Sequence, residues 1–300
     1  MISEVHIRNY RSLWDLKIRL TPLTVVVGAN GAGKSSLLRA LAKGGSLPQD
    51  PTFGHSAGST RRIVTAAGHE LAKMPEKFHG QLLDLRLDQL RKENRVGEAN
   101  LLSSNGDNFA NLLSSLGRRQ LESLAREFTA VVPLFSDVDV RPTHGGHHEV
   151  RFQDRWKQGI WYGPKEVSDG SFLALCLLAL RYQEPVPSLL AIEDPDRGLH
   201  PYLYEQLINR LRDFAGNGER TKVVISTHNP SLLDCVELDE VRFIRRNPTS
   251  GYTELTEVVG SDDWREFFRV HDDRLGDAWL TGALGGVPVG PTPDTEAAEE

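Results

Sequence analysis

An α/β fold with a mainly parallel core sheet is what this sequence predicts, and three observations predict it. The runs "LTVVV" (23–27) and "SLLAI" (188–192) are apolar almost throughout, "TKVVIST" (221–227) reads as a further buried strand and "EVRFIRR" (240–246) as another. Unbroken apolar strands are buried on both faces, as in a parallel sheet covered by helices. Helical patterns separate them, one after the glycine-rich turn at 28–33 and a long apolar one from Ser168. The opening instead alternates, "SEVHIRNY" then "WDLKIRL", so an antiparallel β lobe is expected at the N-terminus.

The remaining elements follow in chain order. Residues 1–50 read as the N-terminal part of the core with its glycine-rich loop, and residues 51–130 as an inserted loop and mostly helical lobe. Within this stretch, 48–65 is rich in Gly, Ser, Thr and Pro and reads as loop. "LLDLRL" (82–87) reads as a short strand, and "NFANLLSSLGRRQLESLAREF" (108–128) carries helical spacing. Residues 131–260 return to the core, opening with the alternating "DVDVRP", "HEVRFQ" and "GIWYG". Residues 261–300 read as a C-terminal helix and a disordered tail, given the Pro, Gly and acid content of "GGVPVGPTPDTEAAEE".

Composition narrows the classes. With 300 residues, 39% apolar and 25% charged, the chain can bury one large core or a core with an inserted lobe. The longest apolar run, "FLALCLLAL" (172–180), falls short of the roughly 20 residues of a membrane span, and "MISEVHIRNYR" lacks a secretory apolar segment. A cytoplasmic protein with no membrane partner is expected. Cys176 and Cys235 lack paired-ligand spacing and read as buried reduced thiols. The net charge of −6 disfavours a chain-wide grip on nucleic acid, leaving DNA contact to local basic pairs. Those pairs, Arg61-Arg62, Arg118-Arg119 and Arg245-Arg246, read chiefly as solvated surface.

"GANGAGKSS" (28–36) fits the phosphate-binding pattern G-x-x-x-x-G-K-[ST] with Gly28, Gly33, Lys34 and Ser35. A buried strand delivers the loop, the glycines let successive N–H groups point inward, and the following helix adds its positive end. Asn30, Gly31, Gly33, Lys34, Ser35 and Ser36 are therefore the expected phosphate-binding residues. Lys34 reaches the outer phosphates of ATP, and the Ser35 hydroxyl is a hard ligand for Mg²⁺. Such a loop needs an acid on a neighbouring strand. Glu193, in "LLAIEDPDRGLHP" (189–201), is placed to hold Mg²⁺, and Asp194 to orient and deprotonate the attacking water.

Two more segments bear on the reaction. "KEVSDGSFLALCLLAL" sets Ser168, Asp169, Gly170 and Ser171 at a helix start; taken alone, Ser168 is better read as an N-cap, though the small residues also leave N–H groups open to an anion. In "VVISTHNP", His228 follows a buried strand and can donate to a terminal phosphate. The order P-loop, serine-glycine helix start, acid pair, histidine resembles an ABC-type ATPase head. The opening "ISEVHIRNYRSL", the "SDGS" form of the signature and "EDPDRGLHP" narrow this to the RecF/OLD-like ATPases, an AAA group related to the SMC heads of chromosome maintenance and DNA repair. "LLSSNGDNFANLL" and "LGDAWLTGALGGVP" resemble its compact branch, and no nuclease acid constellation is visible in the tail.

The resemblance implies a homodimer around two ATP molecules, each held by one subunit's P-loop and the other's signature. It places Ser168 and Gly170 on the γ-phosphate in trans, makes His228 the switch histidine, and turns Asp196 and the residues up to His200 toward the dimer partner. It departs from the usual arrangement in the acid pair, here Glu then Asp rather than Asp then Glu. Its Q-loop glutamine has no clear counterpart, since Gln49 and Gln81 both lie in poorly patterned sequence. The expected activity is Mg²⁺-dependent ATP hydrolysis driving a switch or motor on a separate effector, with a nuclease as one class, in DNA repair or defence against foreign DNA. A transporter's nucleotide-binding subunit and a non-hydrolysing ATP-binding scaffold are the alternatives.

Overall fold

The computed structural model describes residues 2–44, 46–48, 58–65, 70–71, 75, 77–216, 221–256 and 274–280. β1 (Ile2–Tyr10) and β2 (Leu13–Arg19) form the predicted antiparallel pair, followed by β3 (Leu23–Val27) and helix α1 (Lys34–Ala42). Next come β4 (Thr60–Thr65), β5 (Glu70–Leu71), β6 (Gly80–Leu83), α2 (Leu87–Leu90), β7 (Asn94–Arg95), α3 (Phe109–Ser114) and α4 (Arg118–Val131). Then follow β8 (Phe135–Pro142), β9 (His147–Asp154), β10 (Trp161–Tyr162), α5 (Asp169–Ala179), β11 (Leu189–Ile192), α6 (Tyr204–Gly216) and β12 (Lys222–Thr227). The described elements end with α7 (Pro230–Leu233), β13 (Val241–Arg246), β14 (Thr253–Thr256) and α8 (Leu275–Leu280).

The central sheet has the order β14-β13-β3-β12-β11-β6, parallel throughout except for the edge strand β14. Its apolar runs are continuous because each strand serves two cores. In β3, Val25 and Val27 enter one core while Val26 enters the other; β11 divides Leu190 and Ile192 from Leu189 and Ala191 in the same way. One core lies between this sheet, α1 and the antiparallel sheet β2-β1-β4-β5. The other joins it to α5, α6, α3, α4 and a third sheet in which β8, β10 and β7 all pair with β9. Helix α5 is buried from Ser171 to Ala179, so it is apolar all round rather than on one stripe.

Two expectations need correction. Residues 48–65 are not loop throughout: Thr60–Thr65 is strand β4, paired antiparallel with β1, whose free edge the β-branched Thr60, Ile63, Val64 and Thr65 suit. Averaged over the surrounding Gly, Ser and Pro, that short run loses its signal. The strand expected at 82–87 lies at Gly80–Leu83; the chain then leaves the sheet, Asp84 N–H donating to the Ser104 carbonyl, and Leu87 opens α2. The arginine pairs are chiefly exposed, as expected, at Arg118, Arg119, Arg245 and Arg246; the exception is Arg61, 6% exposed, its guanidinium donating to the Ala40 carbonyl and its pKa pushed down to about 10 by burial. In the C-terminal stretch, Leu275–Leu280 is helical, and the proposed tail lies outside the described residues.

Candidate functional site

The loop between β3 and α1 has the shape its glycines allow. Gly31 and Gly33 have φ of 81° and 109°, in the left-handed region where a side chain is strained. At Gly33 a Cβ would also strike the Thr253 hydroxyl, which donates to the Ala32 carbonyl and ties β14 to the loop. The Lys34 ammonium donates to the carbonyls of Gly28 (2.6 Å) and Ala29 (3.1 Å), so the lysine folds back over its own loop. Desolvation pulls its pKa below the ordinary lysine value, against the opposing pull of Asp194, Asp196 and Glu193.

β11 lies one strand removed from β3 and delivers both acids to the same place. The Ser35 hydroxyl donates to Glu193 Oε2 at 2.6 Å. Glu193 Oε1 is buried, accepts no hydrogen bond, and has Arg39 Nε 3.7 Å away. A hydroxyl beside a carboxylate with a spare buried oxygen fits Mg²⁺, a hard cation that keeps several waters and needs few protein ligands. Ser35 and Glu193 are the residues that would hold it, alongside nucleotide phosphate.

Asp194 stands at φ 41°, one of three non-glycine residues with positive φ among those described. Such a conformation costs ~1–2 kcal/mol, offset here by a close set of contacts. Its N–H donates to the Ser226 hydroxyl (3.1 Å), and that hydroxyl donates to Oδ1 (3.2 Å). Arg197 donates to Oδ2 at 3.0 Å, and His228 Nδ1 lies 3.6 Å from the same oxygen. Asp196, 5% exposed, turns inward with Oδ1 buried and without a hydrogen bond; burial raises its pKa, against the opposing influence of Thr227 and Asn229.

A cleft of about 340 Å³ opens over this arrangement and is lined by Asn30, Gly31, Gly33, Lys34, Ser35, Ser36, Glu193 and Asp194. Ser12, Arg197, Ser226 and Arg246 also line it, and the sequence assigned none of them to the nucleotide site. Each sits inside or beside a quoted motif, so adjacency was the available signal. Arg246 lies in a pair read as solvated surface, yet its Nε donates to the Gly31 carbonyl at 2.9 Å.

Ser168 and Gly170 do not line the cleft. Ser168 caps α5, accepting from Ser171 N–H at 3.3 Å, and its hydroxyl lies 2.8 Å from that of Ser171. Gly170 packs on the segment after the acids, where an added Cβ would lie 3.0 Å from the Gly198 carbonyl oxygen. Gln81 is buried, bonded through its amide to Gln183 (2.8 Å) and the Leu102 carbonyl (2.9 Å), and so is committed to the core. Gln49 lies outside the described residues. Among the described residues no helix is long and apolar enough to cross a membrane.

Comparison with known proteins bears on the family and the fold. Residues 1–45, through the P-loop, match the family model described as "AAA ATPase domain". The chain is 46% identical over 41 residues to the OLD nuclease of Thermus scotoductus, covering 14% of this chain and 8% of that protein. It is 27% identical over 293 residues to an ABC transporter ATP-binding/permease protein of Mycobacterium tuberculosis, covering 95% of this chain and 28% of that one. The chain thus spans well under half the length of both relatives. Among solved structures, an Smc head bound to the C-winged helix domain of ScpA superposes with a TM-score of 0.56 at 11% identity, over 88% of this chain and 99% of that one. An Smc head with an extended coiled coil, bound to the C-terminal domain of ScpA from Pyrococcus furiosus, gives 0.55 at 10% identity over 90% and 99%. The fold is that of an SMC head. Residues 81–234, from β6 past the acid pair to His228, match the model described as "AAA domain, putative AbiEii toxin, Type IV TA system"; this is more than half of the chain, and the chain belongs to that family of ATPase domains.

Proposed function

We propose that this protein is a Mg²⁺-dependent ATP hydrolase whose ATP-bound dimer acts as a switch or motor on a separate effector. The observation that carries the reading is the Ser35 hydroxyl on Glu193 at 2.6 Å under a complete P-loop, with the second Glu193 oxygen buried and without a hydrogen bond. When bound there, Mg²⁺ supplies charge to the β- and γ-phosphates. Lys34 leaves the carbonyls of Gly28 and Ala29 for the outer phosphates. Asp194, held by Ser226 and Arg197, orients the attacking water and accepts its proton. His228, beside Asp194, donates to the γ-phosphate. Ser168 and Gly170 lie off their own cleft, which suits a role on the nucleotide of the opposite subunit.

Several comparisons support a partner. The similar Smc heads were solved with ScpA domains, the OLD relative is a nuclease, and the family description names a toxin–antitoxin system. The role we propose is cytoplasmic, in DNA repair or in defence against foreign DNA, with a nuclease among the effector classes and DNA contact left to local basic patches. The relative from Mycobacterium tuberculosis keeps a transporter reading open, which would require a membrane-embedded partner at copurification. Phosphate release by the purified protein tests the core of the proposal. Release that requires Mg²⁺ and disappears with chelator is expected; ATP retained without turnover would leave a binding scaffold.

A further inference from the structure

The start of α5 is held by a residue outside every motif described so far. Arg91 follows α2 directly, and its side chain is only 16% exposed. One guanidinium nitrogen donates to the Pro164 carbonyl and another to the Asp169 carboxylate. The guanidinium carbon stands 5.4 Å from the centre of the Phe172 ring. These contacts fall before, within and after the Ser168–Gly170 turn, so one planar group pins the turn from both sides. An arginine fork does this at little cost in freedom, whereas an ammonium offers no fixed pair of directions.

The same arginine is tied to the nucleotide cleft through the backbone. Glu193 N–H donates to the Leu83 carbonyl at 2.8 Å, at the point where β6 ends, and residues 84–91 lead from there to Arg91. The segment after the acids closes the triangle. A Cβ on Gly198 would lie 3.4 Å from Leu87 Cδ1 and 3.8 Å from Asp169 Cβ, and one on Gly170 would lie 3.0 Å from the Gly198 oxygen. Residues 84–91, 164–172 and 194–200 therefore pack in direct contact, tightest between Gly170 and Gly198.

We infer that Arg91 is a positioning residue: it holds the Ser168–Gly170 turn in the orientation offered to the partner's ATP and links that turn to the strand ends around the chain's own Glu193. This rests on the dimeric reading above. Arg91 touches no group lining the floor of the P-loop cleft, so its loss should spare nucleotide binding by the same chain.

The test is complementation between full-length variants, with folding checked by thermal unfolding. Lys34→Ala mixed with Ser168→Arg is the control, because one of the two sites in the mixed dimer is then intact. Arg91→Met keeps an aliphatic stem over Phe172 and loses the fork. Alone it should bind a fluorescent ATP analogue as the wild type does and turn over ATP about ten- to hundredfold more slowly, the loss of a charge-assisted pair. Mixed with Lys34→Ala it should regain activity, and mixed with Ser168→Arg it should not. Arg91→Lys, which keeps the charge without the fork, should fall between Met and wild type. With the control recovering, activity regained beside Ser168→Arg, unchanged turnover, or weakened analogue binding by folded Arg91→Met would each overturn the role. If Arg91→Met does not fold, Arg91→Lys takes its place in both mixtures with the same outcomes. A control that fails to recover overturns the dimeric reading itself, and the role of Arg91 with it.

Discussion

The P-loop cleft and the start of α5 carry the same kinds of residue, small, polar and charged, yet they are built on different principles. In the cleft the groups are complete within one chain: Ser35 meets Glu193, Arg197 and Ser226 hold Asp194, and Lys34 rests on its own loop. At α5 the Ser168 hydroxyl meets only its own helix, and the turn owes its position to neighbours packed from behind. On the reading proposed above, the first region is a receptor and the second a surface presented to the partner subunit. Substitutions in the cleft should act on a single chain, while those at α5 should matter only where two chains meet.

The largest effect sharpens the receptor side. Asp194→Asn keeps the shape and removes the proton acceptor, so turnover should fall about 10²- to 10⁴-fold with ATP binding retained. Single-turnover assays and equilibrium binding measure the two separately, and undiminished turnover would move the base elsewhere, with Glu193 next in line. On the proposed reading the Lys34 ammonium turns from its loop carbonyls to the outer phosphates and not to the nucleoside, so Lys34→Ala should weaken ATP roughly ten- to hundredfold and leave adenosine unaffected. Calorimetric titration with both ligands reads this out, and equal losses would reject the assignment.

Gly170→Ala probes the presenting side. Its methyl would sit 3.0 Å from the Gly198 oxygen, and a forced shift there costs about 1–3 kcal/mol. Turnover should drop on the order of tenfold if about 1.4 kcal/mol of that appears in the assembled site. Nucleotide binding by the monomer should hold. A parallel loss of monomer binding would erase the distinction between the two regions.

The smallest effect concerns Asp196, which lies between them. Burial raises its pKa, so the native state binds its proton more tightly than the unfolded chain does. Its contribution is favourable below the unfolded pKa near 3.8 and is lost as pH rises through the higher native value. Asp196→Asn should therefore raise the melting temperature at pH 7, with the advantage shrinking as pH falls toward 4. A constant difference across that range would assign the effect to packing and not to titration of Asp196.

The cleft's residues were legible in the sequence because each follows a buried strand, and strand ends are easy to find when the strands are unbroken apolar runs. The core sheet was legible for the same reason. Arg246 and Ser12 were missed because they approach the P-loop across the fold, and nothing local to "FIRR" or "NYRSL" marks which side faces Gly31. β4 was missed because its only signal was a short β-branched run inside a glycine-rich stretch, and its stability comes from pairing with β1. Arg91 illustrates the same limit. Its sequence neighbours are charged and ordinary, while its partners Pro164 and Asp169 are distant in the chain.

The left-handed backbone at Asp194 sets what that position can become. Asparagine, aspartate and glycine tolerate such a conformation, and longer acids less so. The reach of the acid is thus set by a dihedral angle, and exchanging Asp194 for glutamate would tax the turn before it altered the water. Evolving the more usual acid order would require remodelling residues 194–200 together. By the same token Asp194→Asn carries little backbone penalty, which leaves the chemistry as the only thing that substitution removes.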